Sequence, residues 1–197
     1  LARKEVEDQL RPLFEALPHN VPIYLFTRRG ENDVLNEAAR DLIRAFRNLS
    51  SKIEFREFDL SHEMAKKWGV TASPTLLFDP EHLAISYLGV PYGEESRTFM
   101  GTLILVGHRE ANLNEQSRKV VEQIDSPRKI RVFVSPTCPY CPEQALHAVK
   151  AALQVPQLIT VEMIDIQANP DLANKYSAFS VPQTFANDVL IGQGLQP

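Results

Sequence analysis

The stretch IRVFVSPTCPYCPEQALHAVKAAL, residues 130–153, decides how the rest of the chain is read. IRVFVS is a short β-branched and aromatic run that predicts a strand. A turn punctuated by Pro136, Pro139 and Pro142 follows, and the residues from the cysteines to Leu153 have helical periodicity. Between strand and helix sit Cys138 and Cys141, the only two cysteines among 197 residues. A bridge between them closes a minimal loop. In the chain-entropy account even a 15-residue loop contributes only about 3 kcal/mol, so an inert structural staple explains the pair poorly and a reactive dithiol explains it better.

Composition narrows the field. The chain is 44% hydrophobic and 23% charged with a formal net charge of −4, which fits a globular protein able to bury a core and disfavours nucleic acid or a membrane surface as partner. No apolar run reaches the roughly 18 residues of a membrane span, and the opening LARKEVEDQL is charged where a secretory signal would be apolar. These features predict a cytoplasmic protein. A start at Leu1 rather than Met suggests a fragment or a processed product.

Along the first half, Val6, Leu10, Phe14 and Leu17 have helical spacing, with Pro12 expected to kink or delay that helix. VPIYLFT predicts a strand. Leu35, Ala38, Ala39, Leu42, Ile43, Phe46 and Leu49 predict one face of a second helix, and IEFREFD an alternating strand. A short helix in SHEMAKKWG, strands at SPTLLFD and LAISYLG, and a helix built on Phe99, Leu103 and Val106 complete the half. The second half repeats the order: LNEQSRKVVEQI, IRVFVS, the cysteine helix, LITVEMID, NPDLANKYS, VPQTFA and VLIGQG. Thr27 and Ser135 end corresponding strands, Pro74 and Pro182 open corresponding strands, and both pairs are 108 residues apart. Equal spacing at distant points marks an internal repeat. It divides the chain into units at 1–110 and 111–197, with the boundary in GHREANL, about 108 to 113. Crossover helices make the first strand pair of each unit parallel and the tight hairpin makes the second antiparallel. The expected class is therefore α/β, two tandem units, each a mixed four-stranded sheet flanked by helices.

This is the element order of the thioredoxin and glutaredoxin fold. Two such units, the second with PTCPYCP at 136–142 and SVPQT at 180–184, resemble the tandem protein disulfide oxidoreductases of thermophiles and the N-terminal domain of the alkyl hydroperoxide reductase flavoprotein subunit. GHREANLNEQSRKVVEQI and GQG are more similar to the latter. The resemblance covers essentially the whole chain. The repeat places Gly30 and Asp33 opposite Cys138 and Cys141, so the first unit lacks thiol chemistry.

A strand feeding CPYC into a helix places Cys138 at the helix N-terminus, where unpaired N–H groups and the dipole favour a thiolate. Cysteines so placed have pKa values of about 3.5 to 7 against about 8.5 for a free thiol. Cys138 is expected to attack and Cys141, three residues on and turned inward, to resolve the mixed disulfide. Thr137, Pro139 and Tyr140 tune the pair. The Pro139–Tyr140 dipeptide resembles that of glutaredoxins, whose potentials lie near about −200 to −230 mV. Pro142 fixes the helix start. A zinc half-site or a shared iron–sulfur cluster is the competing reading, but His147 is the one nearby ligand and has no partner at suitable spacing, so no metal is assigned. The five histidines are scattered, and neither a catalytic triad nor a phosphate loop is present. Arg28 and Arg29 read as a solvated loop, and Trp68, Phe78 and Tyr87 as core.

The resemblance further implies a cis peptide at Val181–Pro182 beside the cysteines, with Val181 and Pro182 forming a platform for an extended substrate segment. A cis Pro74 would mean that the first unit keeps this backbone feature without its chemistry. The second unit ends at GQGLQP where the first continues into a closing helix, so a helix is expected to be missing or supplied downstream. That favours the flavoprotein-subunit resemblance, which implies electrons relayed from a flavoprotein module, carrying FAD and NAD(P)H outside these residues, to a peroxiredoxin-like disulfide partner. A free-standing dithiol oxidase or isomerase, and an adapter that uses the fold only for binding, are the alternatives.

Overall fold

A computed structural model describes residues 2–197, with side chains from residue 5 onward; Leu1 lies outside the described residues. Sixteen segments follow one another as α1 (Ala2–Glu15), β1 (Val21–Thr27), α2 (Asp33–Leu49), β2 (Ile53–Asp59), α3 (Glu63–Lys67), β3 (Thr75–Phe78), β4 (Ile85–Leu88), a 3-10 turn (Gly93–Glu95), α4 (Ser96–His108), α5 (Glu115–Val121), β5 (Arg128–Val134), α6 (Cys141–Gln154), β6 (Ile159–Asp165), α7 (Pro170–Tyr176), β7 (Gln183–Ala186) and β8 (Val189–Gln193). The expected order holds throughout.

The strands form one eight-stranded sheet in the order β2-β1-β3-β4-β6-β5-β7-β8. β1 is parallel to β2 and antiparallel to β3, which is antiparallel to β4; β5 repeats this with β6, β7 and β8. Each half thus contributes a mixed four-stranded sheet of identical order. The sequence did not reveal how the halves meet. They join edge to edge through a parallel pairing of β4 with β6, Ile85 opposite Val161 and Leu88 opposite Ile164. Tyr87, Leu88, Met163 and Ile164 are buried at this junction, while the paired Ser86 and Glu162 are part-buried and line a cleft on one face of the sheet.

One face of the sheet carries a single core that runs through both halves and includes Phe14, Ile43, Tyr87, Phe99, Leu103, Val132, Val149 and both cysteines. The opposite face has two smaller clusters, Tyr24, Phe26, Leu60, Ala65 and Leu77 in the first half, and Leu88, Phe133, Ile164, Ala178 and Phe185 in the second. Phe78 and Tyr87 are buried as expected, and Trp68 packs at the edge of the first of these clusters.

Two helix expectations need correction. α1 is not delayed by Pro12 but runs through it to Glu15. Phe14 and Leu17, both buried, anchor its end in the core and outweigh the one backbone hydrogen bond that proline removes. On α2 the buried residues are Asn36, Ala39, Ile43, Phe46 and Leu49, whereas Ala38 is exposed. Asn36 replaces it because its amide is fully used: Nδ2 donates to the Arg28 and Glu31 carbonyls at 3.1 and 2.9 Å, and Oδ1 accepts from Ser73 Oγ at 2.9 Å. Arg28 and Arg29 are exposed in a loop, Arg28 pairing with Glu31. No helix follows β8 among the described residues, and none is long and apolar enough to cross a membrane.

Candidate active site

β5 delivers the chain to the cysteine turn at the carboxyl ends of the parallel strands. Ser135 Oγ lies 3.2 Å from Thr137 Oγ1, and the Cys138 N–H donates to the Ser135 carbonyl at 3.0 Å, so the turn closes before any helix begins. Cys138 and Cys141 form a disulfide with Cα atoms 5.5 Å apart. Cys138 retains 8% exposure and Cys141 none. The sulfurs are therefore inequivalent to an approaching partner.

The structure moves the helix start. α6 opens at Cys141, not Cys138, and Pro139 lies in the turn while Pro142 occupies the first helical turn. Proline is tolerated in a first helical turn, where its missing N–H costs nothing, and Pro142 takes that place. The two sulfurs meet through the turn geometry instead of sharing one helical face. Tyr140, the residue that caps α6, is 63% exposed.

Val181 and Pro182 stand where the resemblance implied. The Val181–Pro182 peptide is cis, as is Ser73–Pro74 in the first half. The Val181 carbonyl oxygen is 3.7 Å from Cys138 Sγ. Gln144, buried on α6, ties this wall together: its amide donates to Thr184 Oγ1 at 3.0 Å and its carbonyl accepts the Gln196 N–H at 2.8 Å.

The other wall comes from the first half, and sequence reading missed it. The Glu94 N–H donates to the Pro136 carbonyl at 2.8 Å, and Arg97 Nη2 donates to the Pro139 carbonyl at 2.8 Å and to Glu94 Oε2 at 2.6 Å. Gly93 has φ +60°, and a Cβ there would lie 2.5 Å from the Pro136 carbonyl oxygen. Only glycine fits such an approach in that conformation. Tyr92, from the same segment, reaches Gln167 at 3.5 Å, and Gln167 reaches Ser135 Oγ at 3.5 Å. The signal for this wall was present in GVPYGEESR, whose Gly and paired acids had no place in a simple strand-to-helix connection.

Next to this wall is a buried acid. Glu95 is fully buried, and loss of hydration pushes its carboxyl up to about 7. The hydroxyls of Thr98 and Tyr87 face it and offset part of this shift, although neither meets the geometry of a full hydrogen bond. Asp165, at the end of β6, is also raised by burial, against the N–H groups of Gln167 and Ala168 that hold it down. Among the described residues no three His, Cys, Asp or Glu side chains are grouped to hold a metal.

With this geometry in hand, comparisons place the chain among known proteins. The sequence profile described as "Thioredoxin domain" matches residues 128–197. A thioredoxin of Methanocaldococcus jannaschii is 36% identical over 59 residues, 30% of this chain and 69% of that protein. The chain belongs to the thioredoxin family. A probable thioredoxin of Methanothermobacter marburgensis is 40% identical over 62 residues, covering 32% of this chain and 73% of its own. The thioredoxin-fold likeness extends far beyond that region. A protein disulfide oxidoreductase from Aeropyrum pernix superposes with TM-score 0.85 at 22% identity, over 98% of this chain and 88% of that one. The N-terminal domain of the alkylhydroperoxide reductase AhpF from Enterococcus faecalis does so with TM-score 0.83 at 23% identity, over 98% and 94%. At these identities the likeness is one of fold. Family and disulfide together make this a thioredoxin-like disulfide oxidoreductase.

Proposed function

We propose that Cys138 and Cys141 relay electrons by thiol–disulfide exchange, from a flavoprotein reductase module to the disulfide of a peroxiredoxin-like partner. The observation that carries this reading is the asymmetry of the disulfide: Cys138 reaches the surface and Cys141 is sealed beneath it. In the reduced pair the Cys138 thiolate attacks one sulfur of the partner disulfide. That bond breaks, the departing partner sulfur takes up a proton, and a mixed disulfide forms. Cys141 gives up its proton and attacks Cys138 Sγ, which releases the second partner thiol and restores the Cys138–Cys141 bond. The partner gains two electrons and the pair loses two. Any flavin and nicotinamide belong to the reducing module, whose dithiol returns the electrons.

Three further features support the reading. Val181 offers backbone next to Cys138, and with Pro182 it forms the platform for an extended segment. Tyr140 at 63%, Phe179 at 67% and Tyr92 at 43% exposure lie on the three segments that border the disulfide, and together they give a protein partner apolar area to cover. Glu95, whose carboxyl burial pushes up to about 7, adds a buried acid to the turn that braces the cysteine loop.

Cys141→Ser is expected to trap a mixed disulfide with a peroxiredoxin-like partner, and Cys138→Ser to abolish turnover driven by a flavoprotein reductase. Neither effect appearing would refute the relay. Turnover with glutathione and many unrelated clients, but not with a flavoprotein, would assign the pair to a free-standing oxidase or isomerase. Partner binding and cellular function unaffected by Cys138→Ser would assign an adapter.

A further inference from the structure

We propose that Arg97, a residue of the cysteine-free half, positions the cysteine turn of the other half and supplies positive charge that favours the Cys138 thiolate. The proposal rests on the reading above, in which Cys138 is the attacking sulfur. α6 begins only at Cys141, and Pro142 has no N–H to give, so the helix end offers Cys138 less than the usual set of free donors. A thiolate there needs compensation from elsewhere. Arg97 stands on the first turn of α4 and donates to the carbonyl of Pro139, the residue next to Cys138.

The contact is one of two that bracket the thiol. The Pro136 carbonyl accepts the Glu94 N–H and the Pro139 carbonyl accepts Arg97 Nη2, both at 2.8 Å, so the residues on either side of Thr137–Cys138 are held by the first half. When the disulfide is reduced, the covalent tie across the turn is lost and these two hydrogen bonds remain. Glu94 also accepts from Arg97 at 2.6 Å, which aims the guanidinium but partly offsets its charge. The pair is about half exposed, so its field is screened by water and salt. The remaining titratable groups on segments packed around the turn are Glu95, Tyr87, Tyr92 and Asp165, with Tyr140, Glu143, His147 and Lys150 on the cysteine helix and its cap. Two of these, Glu95 and Asp165, are carboxyls pushed up by burial, and the Arg97 charge acts the other way on Glu95, drawing it toward its ionised form.

The test follows the thiolate absorbance of the reduced protein against pH, and the exchange equilibrium with glutathione, in the wild type, Arg97→Gln, Arg97→Lys and Glu94→Gln. Loss of the cation in Arg97→Gln is expected to raise the Cys138 pKa by roughly half a unit to one unit and to shift exchange about threefold or more toward the disulfide. Arg97→Lys keeps the charge and is expected to stay near the wild type. Glu94→Gln removes the opposing anion and is expected to move the pKa the other way. A loosened turn would move Arg97→Gln and Glu94→Gln in the same direction, and that result, or no change in Arg97→Gln, would overturn the proposal. The pKa is read on the dithiol alone. Absence of transfer to any partner by the wild type would count against the relay instead.

Discussion

Gly30 and Asp33 occupy the positions that the repeat sets opposite Cys138 and Cys141, and the Asp33 carboxylate accepts the Gly30 N–H at 2.9 Å. A hydrogen bond thus closes the loop that a disulfide closes in the other half. Around it side chains of the first half close on one another: Ser73 Oγ accepts the Arg28 N–H at 2.8 Å and donates to Asn36, and Asn32 Nδ2 donates to the Ser73 carbonyl at 2.8 Å.

Asp33 opens α2, so its carboxylate also meets the positive end of that helix. Asp33→Ala is expected to destabilise the protein by about 1 kcal/mol. Gly30→Ala, at φ +83°, is expected to cost about as much from backbone strain alone. Denaturant midpoints measure both, and neither variant is expected to change the reactivity of Cys138.

Glu95 makes stability depend on pH in a stated direction. Its folded pKa, about 7, lies above its ordinary 4.5, so between these values the folded chain keeps a proton that the unfolded chain has released. Stability is full below pH 4.5 and falls as pH rises through 7, by about 3 kcal/mol in total. Glu95→Gln is expected to remove this slope in urea titrations run from pH 4.5 to 8. An identical slope in wild type and variant would show that the carboxyl does not hold its proton.

Gly93→Ala is expected to break the clasp between the halves, because the new Cβ meets the Pro136 carbonyl in a conformation that alanine disfavours. The expected loss is above about 1 kcal/mol. The more telling readout is the cysteine turn, whose amide hydrogens are expected to exchange faster while those of β1 stay protected.

Phe179→Ala and Tyr140→Ala remove apolar area that nothing in the fold covers. Stability is expected to stay within about 0.5 kcal/mol. Transfer to a protein partner is expected to lose roughly tenfold in kcat/KM, mostly through KM, while exchange with a small thiol is unchanged. Equal losses with both substrates would place these aromatics in the chemistry and not at the docking surface.

Element order, the repeat and the cysteine turn were legible because each rests on local pattern: periodicity in VPIYLFT and ITVEMID, proline spacing, and two cysteines three positions apart. What escaped was set by tertiary contacts. Nothing in ISYL or VEMI says that these strands pair with each other, since a buried strand reads alike whichever neighbour it takes. Asn36 broke the apolar face of α2 because its amide is satisfied by backbone far along the chain. The start of α6 moved by three residues because Pro142, and not Pro139, is the proline that occupies its first turn. Nothing in the sequence separates Glu95 from its neighbour Glu94; only burial does.

The brace that Gly93, Glu94 and Arg97 provide ties the thiol-free half to chemistry it does not itself perform. A duplicated module with an idle pocket can drift at Gly30 and Asp33 at little harm beyond stability. The segment leaving β4 is instead bound to the other half's chemistry, so inherited variation in the first half is expected to collect around Gly30 and Asp33 and to be purged from the edge that grips the cysteine turn.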